Sequence, residues 1–299
     1  MIDYFTIDDN GTDHDLHGVT AGLRMLDRID GLLGFPSPRD TSIDRPEGDG
    51  VIESLNQYVG PKTPVLEGCV FGTVDTIASA YANWVVTQRV LLAAVRTPKL
   101  CKWRSTGSGL DLQSYMRVAG PCAPKLGTDE HGAHYRYQVV LRAADPFAYS
   151  QTSQSASVIA PVVTTTGMPL PIIFPIPFAT IGTGGTIIVT AGGNAPSWPI
   201  ITIDGPINGP VISNATQGKS VFFEGLNLAA GEQLIVNMNP NSRTATVAGA
   251  SQMGAIRYAD SAFFNLTPGI PESIIFYGIG LGYTVATQMT VAWRDTYTG

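Results

Sequence analysis

Residues 196–247 read PSWPIITIDGPINGPVISNATQGKSVFFEGLNLAAGEQLIVNMNPNSRTATV, and their punctuation decides the fold class. Short β-branched runs, Pro199 to Ile203, Val211 to Ser213, Ser220 to Phe223, Gln233 to Met238 and Arg243 to Val247, alternate with turn residues. The turns are Asp204-Gly205-Pro206, Asn208-Gly209-Pro210, Gly218-Lys219, Gly231-Glu232 and Pro240-Asn241. Glycine and asparagine accept the positive φ of tight turns and proline interrupts a ladder, so each cluster ends one strand and releases the next. Regular short strands of this kind predict an antiparallel β-sandwich over residues 196–299.

Working outward, a chain of 299 residues is long enough for two domains, each with its own core. Charged residues make up only 14% while Gly (33) and Pro (21) are plentiful, an apolar and turn-rich composition that favours a rigid β protein over a disordered one. A net charge of −6 offers no basic footprint for a phosphate backbone, so nucleic acid is not an expected ligand. Cys69, Cys101 and Cys122 are odd in number and widely spaced, which predicts reduced, mostly buried thiols rather than a disulfide framework or a zinc finger. The opening MIDYFTIDDN has no basic segment followed by an apolar one, so no signal peptide is expected, and the sequons at Asn214 and Asn265 carry no weight without one. Two charge-free stretches, between Asp145 and Asp204 and between Glu272 and Arg294, are long enough to span a bilayer. Pro161, Pro169, Pro171, Pro175 and Pro177 break the first, and Gly278, Gly280 and Gly282 with Gln288 break the second, so strands and extended arms are expected and membrane insertion is not.

The first 149 residues show a second β pattern with one helix. Tyr4 to Ile7 run into Asp9-Asn10-Gly11, a type I′ hairpin signal. Asp8, Asp9, Asn10, Asp13 and Asp15 look superficially like a calcium loop, but the Gly and Glu positions of an EF-hand are not met, and a solvated turn is the reading. Residues 34–50 are polar and rich in breakers, a surface loop, and Gly68 to Gly72 is a short apolar strand. From Thr76 to Val95 the spacing predicts a helix capped by Asp75 or Thr76, with Ile77, Ala80, Tyr81, Trp84, Val85, Gln88, Leu91 and Leu92 on the side that docks on a sheet and Trp84 as a core anchor. Strands follow at Leu100 to Trp103, Leu110 to Val118 and Tyr135 to Arg142. Residues 150–168 are a Ser/Thr/Gln-rich crossing, and Pro169 to Phe178 alternate proline with apolar residues, an extended arm in need of a partner surface. The domain expectation is therefore 1–149, a linker and proline-rich arm over 150–195, and a second domain over 196–299.

The order of these pieces resembles the distal tail (Dit) proteins of siphophages, the baseplate hub family, of the kind found among actinobacteriophage minor tail proteins. The P-x-I-x-I-D-G-P strand, P-V-I-S-N, the G-K turn, G-E-Q-L-I-V-N and the N-S-R-T hairpin are similar to that family's C-terminal galectin-like domain. Asp260 to Gly269 resembles its strand leading to a leucine, x, proline, glycine turn, and Ala144-Asp145-Pro146-Phe147-Ala148-Tyr149 resembles the close of its N-terminal domain. The resemblance implies a mainly β fold, with an N-terminal β-barrel or sandwich-like domain carrying one helix and a C-terminal galectin-like β-sandwich. It also implies a structural virion protein at the tail tip, made in the host cytoplasm. Six copies would form a ring joining the tail tube protein to the Tal-type tail hub protein, with the tape measure protein C-terminus as a further partner.

Candidate chemistry is sparse. Cys122, His131 and His134 could supply three zinc ligands, yet the two histidines lie in a predicted loop and no fourth ligand stands at a standard spacing. No nucleophile elbow, P-loop or dinucleotide glycine pattern occurs, and Gly182 to Gly185 reads as a turn. Glu224, Asp260 and Glu272 are the nearest candidates for a glycosidase pair, each more simply a turn or strand-edge residue. The expectation is no catalytic, cofactor or metal site and no enzyme activity. The alternative is a carbohydrate-binding β-sandwich module for host surface recognition, for which Trp198, Trp293 and Tyr283 are the available aromatic platforms.

Overall fold

The computed structural model describes residues 2–18, 24–39, 43–44, 51–52, 58–74, 76–129, 132–160, 185–279 and 286–298. The proline-rich run 169–178, and with it the expectation of an extended arm, lies outside the described residues, as do Asp75, His131 and Tyr283. Along the first half the strands are β1 (Ile2–Asp9), β2 (Thr12–His17), β3 (Arg24–Asp30), β4 (Pro38–Arg39), β5 (Ile43–Asp44), β6 (Val51–Ile52), β7 (Tyr58–Val59) and β8 (Val65–Phe71), then helix α1 (Ile77–Arg96). After the helix come β9 (Lys99–Ser105), β10 (Asp111–Val118), β11 (Lys125–Asp129), β12 (Gly132–Arg142) and β13 (Ala148–Ser150). The second half holds β14 (Gln154–Ile159), β15 (Thr186–Val189), β16 (Ile200–Asp204), β17 (Ile207–Asn208), β18 (Pro210–Asn214), β19 (Lys219–Phe222) and β20 (Asn227–Leu228). It ends with β21 (Gln233–Asn237), β22 (Thr244–Val247), β23 (Ala250–Ser251), β24 (Glu272–Gly278), β25 (Gln288–Trp293) and β26 (Thr296–Tyr297). The chain forms two compact units, Met1–Thr152 with Tyr297–Gly299, and Ser153–Thr296.

In the first unit the antiparallel order is β2-β1-β9-β10-β12-β8-β3. The two end strands are tied side by side, the backbone N–H of Leu26 on β3 donating to His17 Nδ1 on β2 at 3.2 Å. The predicted hairpin forms at Asn10 and Gly11, whose φ values of 55° and 86° are those a type I′ turn requires. Gly127 to His134, read as a loop, is instead a hairpin of β11 and β12 in which a Cβ at Gly127 would overlap the His134 ring. Thr76 caps α1, its Oγ1 accepting from the Ser79 N–H at 3.2 Å. The helix packs on β8, β10 and β12, and Trp84 lies over Tyr135 and Tyr137 with ring centroids 6.3 and 5.5 Å away.

The buried face of α1 differs from the expected stripe. It is Ala80, Trp84, Thr87, Val90, Leu91 and Ala94, while Ile77, Tyr81, Gln88 and Leu92 are exposed. Apolar residues cover more than half of this helix, so periodicity admits several faces. The sheet selects the one whose small residues, Ala80, Thr87 and Ala94, permit close approach.

The second unit is a β-sandwich of a six-stranded sheet, β14-β25-β16-β21-β22-β23, and a four-stranded sheet, β15-β24-β18-β19. Strict alternation sends Ile201, Ile203, Leu234, Val236, Met289 and Val291 inward from the first, where they meet Ile212, Val221, Ile274 and Phe276 from the second around Phe223 and Phe264. All five runs predicted within residues 196–247 are strands, with every end within one residue of its expected position. Gln154–Ile159, read from its composition as part of a crossing, is β14 and pairs with β25, since its Ser residues can face outward while Ala156 and Val158 pack on the core. Asp260 to Gly269 is not a regular strand. It is held by single bridges from Leu266 to Ser197 and from Pro268 to Ala191, with Phe264 and Leu266 buried.

Candidate functional site

The three carboxylates singled out from the sequence have separate settings. Glu272 at the start of β24 is only 1% exposed. Its carboxylate accepts from Asn214 Nδ2, from Gln217 Nε2 at 2.8 Å and from the Thr267 N–H at 2.9 Å. Burial opposes its charge, but the hydrogen bonds from Gln217, Thr267 and Asn214 outweigh that and hold its pKa below the ordinary carboxylate value. Two of these donors come from the end of β18 and the turn that leads to β19, and the third from the segment before β24, so the group is a structural clasp between them. Asp260 pairs with Arg257 at 2.8 Å on the surface, and Glu224 is exposed. None of the three has another among its hydrogen-bond partners. Asn214, the first sequon, is fully buried in the Glu272 clasp and inaccessible to a glycosyl donor.

The acidic residues of the first hairpin are engaged by lysines of β9. Lys99 Nζ lies 2.6 Å from Asp9, Lys102 Nζ lies 2.8 Å from Asp13, and Asp8 accepts from the Gly11 N–H at 2.9 Å. Of the three proposed zinc ligands, His134 is buried with its ring 5.4 Å from that of Phe71, and its Nδ1 is 3.2 Å from the Gly132 carbonyl. Cys122 is half-buried beside α1, and His131 lies outside the described residues. Among the described residues no three His, Cys, Asp or Glu side chains converge as a metal would require. The cysteines are free; burial pushes the Cys101 thiol up to about 12, and burial with the Asp27 hydrogen bond pushes Cys69 up to about 11.

The aromatic platforms for a sugar are turned inward. Trp293 is buried and Trp198 packs against the sandwich core. The outward face of the six-stranded sheet presents Ser155, Ser157, Ile159, Gln288, Thr290, Ala292, Ile200, Thr202 and Ile235, with no aromatic ring among its described residues.

What sequence reading missed is surface. Ile77, Tyr81, Leu92 and Val95 form an outward stripe on α1, and beside them a groove of about 200 Å³ is lined by Trp84, Leu91, Leu92, Val95, Val118 and Pro121. At the far end of β3, Phe35 stands 86% exposed. The signal was present, since too many apolar residues occupy the helix for one buried face. Only packing shows which are left over. The motif at the end of β12 also acquires a reason. Asp145 accepts from the Phe147 N–H at 3.1 Å and from the Tyr149 hydroxyl at 2.6 Å, folding Ala-Asp-Pro-x-x-Tyr into a closed turn before β13. Among the described residues no helix is long and apolar enough to cross a membrane.

Residues 192–297 match the family described as siphovirus-type tail component, C-terminal domain. No curated protein matches the chain. The fold is similar to that of the Dit protein of phage SPP1, described as a paradigm of the hub adsorption apparatus in phages infecting Gram-positive bacteria. The TM-score is 0.65 at 11% identity, over 98% of both chains. It is also similar to a chain of the phage P2 baseplate in its activated conformation with calcium, with a TM-score of 0.51 at 11% identity over 98% of both chains. Residues 192–297 thus match a siphovirus-type tail-component domain, and the chain shares its fold along nearly its whole length with the Dit protein of phage SPP1.

Proposed function

We propose that this protein is a structural component of the tail tip, a ring of six copies that joins the tail tube protein to the Tal-type tail hub protein and serves as a docking platform. The observation that carries the reading is the pairing of a tail-component family match over residues 192–297 with a full-length likeness to a hub protein. Its work is mechanical. In this reading the first unit forms the annulus through its outward apolar surface, and the second unit serves as the platform. The C-terminus of the tape measure protein is a further partner, and the protein resides in the virion after synthesis in the host cytoplasm. Neither nucleic-acid binding, membrane insertion nor catalysis is part of the role. The inward-turned tryptophans and the ring-free sheet face weigh against sugar recognition. Sedimentation of the purified protein across concentrations tests the proposal. A species near six times the 31.7 kDa monomer is expected at high concentration, and a strict monomer throughout would overturn the ring.

A further inference from the structure

We infer that neighbouring copies are held head to tail by Phe35 of one copy seated in the groove beside the helix of the next. The inference rests on the ring reading and names the contact that closes it. Phe35 is not a loose side chain. Before it, Leu32 is buried and its carbonyl receives the ammonium of Lys62, itself buried, at 2.9 Å. After it, the Gly60 N–H holds the Ser37 carbonyl at 2.8 Å. Fastened on both flanks, the segment loses little conformational freedom on binding, which is the condition under which an apolar anchor contributes most to association.

The groove fits the anchor. A benzene ring occupies a cavity of about 150 Å³, and the groove of about 200 Å³ is walled by Trp84, Leu92, Val95, Val118 and Pro121, with Gln88 the polar side chain of its lining. Phe35 does not fill it within its own chain, as its 86% exposure shows. Arg24 Nε donates to Thr87 Oγ1 at 3.0 Å, fixing the near end of β3 on the helix. Seven residues of strand then carry the chain roughly 20 Å away before the Phe35 segment begins. Knob and groove are thus different patches of one unit, the arrangement that generates rings or filaments rather than a two-fold dimer.

The area agrees. An aromatic side chain covers about 150–250 Å². Ile77, Tyr81, Leu92 and Val95, each about half exposed, bring the apolar contact to several hundred Å², on the order of the centre of a standard interface of about 1,600 Å².

Two variants of the full chain test the contact, Phe35→Ala and Leu92→Lys, both at exposed positions and so expected to melt as the parent does. Each alone should raise the concentration of half-assembly at least tenfold. Mixed one to one, they restore a single good contact, because the groove of the first variant is intact and so is the knob of the second. Sedimentation should then show heterodimers that neither variant forms alone. Parent-like assembly of both variants, or a mixture that stays monomeric while the parent forms rings, would overturn this contact and leave the ring standing. A parent monomeric at every concentration would remove both.

Discussion

On the first unit, Ile77, Tyr81, Leu92 and Val95 face outward along one side of α1. On the second, the broad outward face of the six-stranded sheet is laid with Ser155, Ser157, Thr202 and Thr290, and its exposed isoleucines sit singly among them. Both units bury a full core by alternation, so the contrast is in what remains outside. Scattered apolar residues are ordinary on a monomer, whereas an apolar stripe broken only by Gln88 beside a groove marks a contact surface. The interiors differ too. The second unit buries a charge that is met by three donors, at Glu272, and the first buries Lys62 with the Leu32 carbonyl as its recorded acceptor. Burial lowers the Lys62 pKa accordingly. The lesson is that the sandwich is finished by itself and the first unit leaves surface to be completed.

That contrast can be broken most sharply by removing a core anchor from one unit. Trp84→Ala takes a buried indole from between the helix and Tyr135 and Tyr137 and should destabilise the first unit by about 3–5 kcal/mol. Calorimetry should show one transition lowered and another in place, since the units have separate cores. A uniform loss in a single transition would mean that the two cores are energetically one.

A smaller effect is expected at Glu272. Glu272→Gln removes the charge that Gln217, Asn214 and the Thr267 N–H are arranged to meet and should lower the stability of the second unit by about 1–3 kcal/mol. The sign of the pH effect follows from the depressed native pKa. The contribution is present in full above the unfolded value, near 4.5, and is lost as pH falls through the lower native value. Urea titrations of parent and variant between pH 7 and pH 3 should therefore converge in acid. Divergence instead would assign the clasp to a neutral Glu272.

The smallest expected change is at the closing turn of the first unit. Asp145→Ala removes the acceptor that the Phe147 N–H and the Tyr149 hydroxyl share and should cost about 1 kcal/mol without altering the second unit. Denaturant midpoints would sharpen the comparison here. An effect as large as that of Trp84→Ala would make the turn a core feature.

Much of the fold was legible in the sequence. Glycine and asparagine turns located the strands of residues 196–247, because backbone dihedral limits act locally and leave the same marks in any tertiary setting. The Asn10-Gly11 hairpin and the Thr76 cap followed for the same reason. Harder to see were β11, hidden in a polar hairpin, and β14, whose outward serines imitate a linker. Glu272 reads as a turn or strand-edge carboxylate, but its donors Asn214 and Gln217 lie 58 and 55 residues away, and no sequence spacing relates them to it.

By itself, then, the sequence determined that the chain is mainly β, that one helix interrupts it, and where its turns fall, since these depend on residues a few positions apart. Tertiary structure alone decided which side of that helix is buried, which carboxylate is clasped, and that Phe35 stands outside while Leu32 beside it lies within. The physical reason is that burial is a competition among distant surfaces. Ile77 and Leu91 are equally apolar, and only the sheet, by admitting Ala80, Thr87 and Ala94 against it, leaves one in water and takes the other out.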